Sequence, residues 1–204
     1  MNVKVYVEGG GDHNKALDTE CRRGFREFFR KAGLDRRMPR IVSCGGRNDA
    51  YKSFRTFHED AGDDDFPILL VDSEAQVSSG NDWEHVRARD GWQRPDGAIS
   101  DQLHLMVQAM EAWFHADKEK VAGYYGRGFR PGALSQRLEV DNIPKADLFA
   151  GLKAATRPCP TKGESSKGGH SFGIRALIDP AKVSLSSPAH AGRLLKVLDR
   201  ICVP

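Results

Sequence analysis

The chain has 204 residues, a net charge of +3, 29% charged and 39% hydrophobic residues, and four cysteines. This size and balance suit one soluble globular domain with a sizeable core. No apolar run approaches the ~20 residues that cross a bilayer, no basic segment leads into an apolar core at the N-terminus, and Cys21, Cys44, Cys159 and Cys202 lack zinc-site or disulfide-framework spacing; the expectation is a cytoplasmic protein with reduced thiols and no membrane partner.

Val3, Val5 and Val7 alternate with Asn2, Lys4 and Tyr6, which predicts a first strand. It runs into Glu8, three glycines and Asp12, and both Asp12 and Asn14 suit the cap of the next helix. Leu17, Cys21, Phe25, Phe28, Phe29 and Ala32 then form one apolar stripe of a helix that Gly33 ends. A short second strand over Ile41–Cys44 leads through Gly45 and Gly46 to a helix capped by Asn48, with Tyr51, Phe54 and Phe57 inward. Ile68–Val71 is a continuous apolar run, as in a strand covered on both faces, and ends at Asp72-Ser73-Glu74. The first seventy residues therefore read β-α-β-α-β with parallel strands and right-handed crossovers.

Beyond this unit, turn signals at Gly80-Asn81, Gly91 and Pro95-Asp96-Gly97 leave room for a short helix around Asp82–Arg89. Leu103–Met106 predicts a fourth strand, and Met110, Trp113 and Phe114 an apolar helix face that also carries Glu111. Tyr124–Gly132 reads as a loop, Pro144 as the first turn of a helix, Thr161–Gly169 as a polar loop, and Ser187-Pro188 as the start of the last helix. The organisation expected is an α/β core over 1–115, with a helical extension over 116–204 packed on it as one compact unit.

The charges are unevenly spread. Lys15, Arg22, Arg23, Arg26, Arg30, Lys31, Arg36, Arg37 and Arg40 crowd one segment, and Glu59, Asp60, Asp63, Asp64 and Asp65 form an acidic run. The basic segment suits phosphate contact, but charge runs are usually solvated helix faces, and that reading is preferred. Trp83 and Trp92 lie in polar surroundings and are candidates for a partner surface, whereas Trp113 and Phe114 read as core.

Two nucleotide motifs fail. Gly9-Gly10-Gly11 is not followed by the spacing of a dinucleotide fingerprint, and the lysine loop lacks Gly-Lys-Ser/Thr. The carboxylates do better. Open α/β sheets bind ligands beyond the carboxyl ends of their strands, where Glu8 and Asp12 end one strand and Asp72 and Glu74 another. Asp72 and Glu74, two apart in an extended segment, share a face. If the strands are neighbours, four hard oxygen donors converge, as magnesium or manganese requires. Taken singly, Asp12 is better read as a helix cap, and Glu8, Asp72 and Glu74 as solvated loop residues; two acidic strand ends in one β-α-β-α-β unit shift the balance toward a site.

Glu8-Gly9-Gly10-Gly11-Asp12 after a strand, with Asp72-Ser73-Glu74 after a later one, resembles the Toprim domain of topoisomerases, primases and OLD-type nucleases. Glu74 departs from that domain's Asp-x-Asp but keeps a carboxylate. Ile68–Glu74, Leu105–Phe114 and Lys167-Gly168-Gly169 are further similar to a small stand-alone bacterial Toprim-like family of unknown function, often encoded beside an AAA-type ATPase. The resemblance covers most of the chain. It implies a Toprim-like (Rossmann-like) fold with a small, mainly parallel sheet, flanking helices and extra C-terminal helices. It implies a magnesium- or manganese-dependent nuclease acting on DNA or RNA, an anti-phage effector with an ATPase partner. Glu8 would be the acid/base or metal-linked glutamate, Asp72 and Glu74 metal ligands, and Asp12 the second acid of the turn.

Glu111 is a further candidate, either as a ligand or as the anchor of a buried Arg or Lys. Lys167 or Lys162 would offset charge at phosphorus, against the plainer reading of a solvated loop. A non-catalytic regulatory or docking subunit of an ATPase complex is the alternative, and nucleotidyl transfer a third reading. Self-association is left open.

Overall fold

The computed structural model describes residues 1–11, 14–77, 82–165 and 170–202. Four strands, β1 (Asn2–Val7), β2 (Arg40–Ser43), β3 (Asp65–Asp72) and β4 (Leu103–Met106), form one sheet in the order β2-β1-β3-β4, all parallel. The protein is thus an α/β protein with a small parallel sheet flanked by helices. Helices α1 (Lys15–Phe29), α2 (Arg47–Glu59) and α3 (Asp82–Asp90) belong to the crossovers. After β4 come a 3-10 segment (Met110–Asp117) and α4 (Lys118–Tyr125), α5 (Lys145–Thr156), α6 (Ser171–Arg175), α7 (Pro180–Ser186) and α8 (Ala191–Ile201).

Strand alternation divides the core in two. Val3, Val5, Val7, Ile68 and Leu70 face the larger cluster, with Cys21, Phe25, Phe28 and Phe29 of α1 and most of the C-terminal helices. Tyr6, Leu69, Val71, Leu103 and Leu105 face the other side, against Ala50, Tyr51 and Phe54 of α2 and Val86 of α3. A sheet covered on both faces is why β3 reads as an unbroken apolar run.

Several expectations shift. α1 gives way at Arg30 to a wider turn, through Gly33 at φ 91. Gly46, not Asn48, precedes α2, and the Asn48 amide oxygen accepts from the Trp92 indole at 3.3 Å. Trp83 and Trp92 are buried, so neither offers a partner surface: Trp92 stacks on Tyr51 at 4.5 Å, and Trp83 lies against Phe54. Glu84 beside Trp83, and Gln93 and Arg94 beside Trp92, are exposed, while the indoles fill the second core. The segment before the last helix holds α7, so α8 begins at Ala191 rather than at Ser187. No described helix is long and apolar enough to cross a membrane.

Candidate metal centre

From β1 the chain goes to β2 on one side and to β3 on the other, so the sheet reverses direction between β1 and β3. The carboxyl ends at such a reversal open into a crevice. The register Val7↔Leu70 brings Glu8 beside the end of β3, and the Glu8 N–H still donates to the Leu70 carbonyl at 3.0 Å. Its side chain bends across the seam, where Glu8 Oε2 accepts from the Asp72 N–H at 3.0 Å. Asp72 closes β3 opposite Met106, and its Oδ1 accepts from the Met110 N–H at 2.7 Å.

Glu74 arrives by a different route from the one the sequence suggested. It is not in extended backbone: its φ is 63, in the left-handed region that costs a non-glycine residue about 1 kcal/mol or more. Ser73 supports this turn. Its N–H donates to Met106, and its buried hydroxyl accepts from the Gln108 N–H at 2.7 Å and donates to the Ala75 carbonyl. The result is that Glu8, Asp72 and Glu74 each offer a carboxylate oxygen, all within 4.8 Å of one another.

Besides Arg89, at the end of α3 and 3.9 Å from Glu74, two further cations that sequence reasoning missed flank the acids. Arg47, at the start of α2, sits 3.6 Å from Glu8 Oε2, donates to the Asp72 carbonyl oxygen, pairs with Asp90 at 2.6 Å and lies over the Trp92 ring at 4.6 Å. Lys145, at the start of α5, pairs with Glu74. A signal existed for each. Arg47 follows a glycine pair at the carboxyl end of a strand, on the edge that carries the acids. Lys145 occupies a helical first turn, where the macrodipole disfavours a cation unless an acid holds it.

The electrostatics follow from this crowding. Burial pushes the Glu8 carboxyl up; Glu74 adds to that and Arg47 opposes it. Burial, then Glu8 and Glu111, hold Asp72 well above the usual carboxylate range. Crowding of three ionised carboxylates is costly, and a cation among them relieves it. Its donor set, carboxylate oxygens only, fits a hard divalent ion such as magnesium or manganese, and Glu8, Asp72 and Glu74 would hold it.

Glu111 is not among the converging acids. It is buried, accepts from the Ser171 hydroxyl at 2.9 Å and shares its surroundings with Arg175, matching the buried-anchor alternative. Arg175 is fully buried, with its guanidinium 4.7 Å from the Phe25 ring and 4.2 Å from Trp113, and burial pulls its pKa down to about 9. It donates to the Met110 carbonyl at 3.1 Å, so the backbone of one residue, Met110, meets Asp72 through its N–H and Arg175 through its C=O. Nothing in the sequence distinguishes Arg175 from a surface arginine. Lys162 lies over the Tyr124 ring at 4.3 Å and makes no bond to the three acids. Asp12 and Lys167 lie outside the described residues.

The glycine turn has its own reason. Gly10, at φ 93, lies so close to the Asp18 carboxylate and the Ser43 hydroxyl that a Cβ there would meet both. Gly9 and Gly45 exchange N–H to O bonds of 2.9 Å in both directions, an isolated antiparallel bridge just past the parallel β1–β2 pairing.

Fold and site together define an α/β protein with a cluster of three carboxylates at the switch point of a parallel sheet. The chain belongs to the DUF4276 family, a domain of unknown function, whose family model matches residues 7–199. No curated protein matches the chain, and no solved structure does.

Proposed function

We propose that this protein is a metal-dependent nuclease that hydrolyses nucleic-acid phosphodiesters, a Toprim-like enzyme in which Glu8, Asp72 and Glu74 hold magnesium or manganese. The observation that carries the reading is the convergence of these three carboxylates within 4.8 Å, at the crevice where such sheets bind ligands. A bound divalent ion would supply Lewis-acid stabilisation of charge at phosphorus and an activated water.

The chain's own groups do the rest. Glu8 takes the proton of the attacking water as the new P–O bond forms. The bond from phosphorus to the leaving sugar oxygen breaks, and that oxygen collects a proton from solvent. Arg47 and Lys145, one on each side of the acids, are placed to bind the phosphate oxygens. The left-handed turn at Glu74 and the Met110 N–H at Asp72 hold the ligands in place before substrate arrives. An ATPase partner and an anti-phage role follow from the Toprim resemblance alone and are part of the same proposal.

The test is incubation of single- and double-stranded DNA and RNA with the protein and manganese or magnesium. Cleavage that disappears in Asp72→Asn, with the fold intact by circular dichroism, supports the reading. Unchanged cleavage in that variant sinks it. The ion pairs of Glu74 with Lys145 and of Glu8 with Arg47 favour a second reading, in which the acids are structural and the protein is a docking subunit. Stoichiometric complex formation with an ATPase, without cleavage, would select it.

A further inference from the structure

The basic residues between Lys15 and Arg40 sort into two groups. Arg23 pairs with Glu20, Arg30 with Glu27, and Arg37 with Asp199. Lys31 donates to the carbonyls of Ala176 and Leu177 just past α6. By contrast, Arg22, Arg26 and Arg40 have no acidic partner among the described residues; Arg22 donates only to the Thr19 hydroxyl, at 3.3 Å. Yet these three exposed guanidiniums gather around one cleft of about 290 Å³, completed by Met38, Pro39 and Ile41. Like charges held round a cleft repel one another, and an anion placed between them relieves the repulsion.

The cleft is the lower end of a longer seam. Asp18, Arg22 and Arg26 recur every four residues on one face of α1, and Arg40–Ser43 is β2, at the edge of the sheet. A second cleft of about 650 Å³ lies further along the same seam, lined by Asp18, Ser43, Cys44, Asp49 and Ser53 among others. Its Gly45 is bonded to Gly9, the residue after Glu8. The seam thus runs from the arginines to Gly45, whose bonding partner Gly9 adjoins Glu8 in the chain; the three acids themselves line neither cleft. Three residues of strand separate Arg40 from Ser43, roughly 10 Å, which is about three base-pair rises along a duplex axis. The upper cleft, rich in carboxylates and hydroxyls, accepts hydrogen bonds from sugar hydroxyls and base amino groups. The phosphates belong at the arginine end.

We infer that the α1/β2 seam is the binding track for a nucleic-acid strand, with its phosphates on Arg22, Arg26 and Arg40 and its path leading to Glu8, Asp72 and Glu74. This rests on the nuclease reading of the acidic centre, and it replaces the solvated helix face that charge patterning alone suggested.

The test is fluorescence anisotropy with a labelled single strand and a labelled duplex, in EDTA, over a salt series. Replacing Arg22, Arg26 and Arg40 together by Ala is expected to lower affinity at low salt by at least about tenfold. The salt slope should fall in magnitude by about 2 for the single strand and about 3 for the duplex, the counterions of three phosphates. A control variant with Arg127, Arg130 and Arg137 replaced by Ala makes the same charge change elsewhere and should bind as wild type. All three proteins should melt together, because the substituted side chains are exposed.

Wild-type affinity and slope in the Arg22/Arg26/Arg40 variant overturn the track. So does an equal loss in the control, which would make net charge the cause, or a wild-type protein that binds neither oligonucleotide. Asp72→Asn separates this from the nuclease reading. Strand binding that depends on the three arginines, with no metal-dependent cleavage by wild type, keeps the track and removes the nuclease; cleavage lost in Asp72→Asn, with binding indifferent to the arginines, does the reverse.

Discussion

Replacing Asp72 by Asn is expected to stabilise the cation-free protein while destroying its site. Asp72 and Glu8 offer oxygens within 4.8 Å of each other, and two unit charges at that separation repel by about 3.5 kcal/mol at an effective dielectric constant near 20. That repulsion is the ceiling on the gain, so the amide is expected to stabilise by up to about 3.5 kcal/mol. The geometry need not change, because an amide oxygen keeps the bond from the Met110 N–H. Urea unfolding in EDTA measures the difference directly. Adding manganese at a hundred times its dissociation constant should then stabilise wild type alone, by about 2.7 kcal/mol. A variant less stable than wild type in EDTA would refute the reasoning, since it would mean that the carboxylate of Asp72 is held by cations of the protein rather than strained by its acidic neighbours.

Lys145→Met should tighten manganese binding by up to about fivefold, because the ammonium competes with the ion at Glu74 and a partly exposed pair of this kind contributes at most about 1 kcal/mol; calorimetry reads this, and weaker binding would contradict it. Arg47→Met should cost about 3–5 kcal/mol in unfolding free energy, because Asp90 and Glu8 lose a largely buried partner. Gly24→Ala should destabilise despite the better helix propensity of alanine, since a Cβ there would lie 2.7 Å from the Phe172 carbonyl oxygen; a raised melting temperature would count against the packing of α6 on α1. The fully buried His104 has its pKa pulled down by burial to about 3. Being depressed, it favours the neutral folded form: its contribution is complete above the unfolded value near 6.5 and is lost as pH falls toward 3. Wild type should therefore lose about 3 kcal/mol relative to His104→Gln between pH 6.5 and pH 4, measured by urea unfolding at each pH.

The parallel sheet was legible because its strands carry their burial in their sequence. Val3, Val5 and Val7 alternate with polar residues because the opposite face of β1 leaves Asn2 exposed and Lys4 half-buried, whereas Ile68–Val71 is apolar throughout because β3 has core on both faces. Glu8, Asp72 and Glu74 were legible as acids at strand ends. Strand alternation was nevertheless the wrong reason for Glu74, whose aim depends on a left-handed turn fixed by Ser73 and Gln108, residues with no distinctive pattern. Position in the chain hinted at Arg47 and Lys145 and gave no hint of Arg175, but none of their partners was legible, lying 39, 71 and 65 residues away in the chain. The same holds for the basic segment. Charge patterning could not tell Arg23, tied to Glu20 one turn away, from Arg22, Arg26 and Arg40, which only the fold gathers around one cleft.

The central claim is that Glu8, Asp72 and Glu74 bind a divalent cation, and calorimetric titration of manganese into wild type and Asp72→Asn tests it most directly, repeated with a short oligonucleotide present so that a site completed by phosphate is also seen. The account predicts binding by wild type, without or with the oligonucleotide, that is lost in Asp72→Asn while circular dichroism shows both proteins folded. Equal binding by the two proteins, or no binding by wild type under either condition, would contradict it.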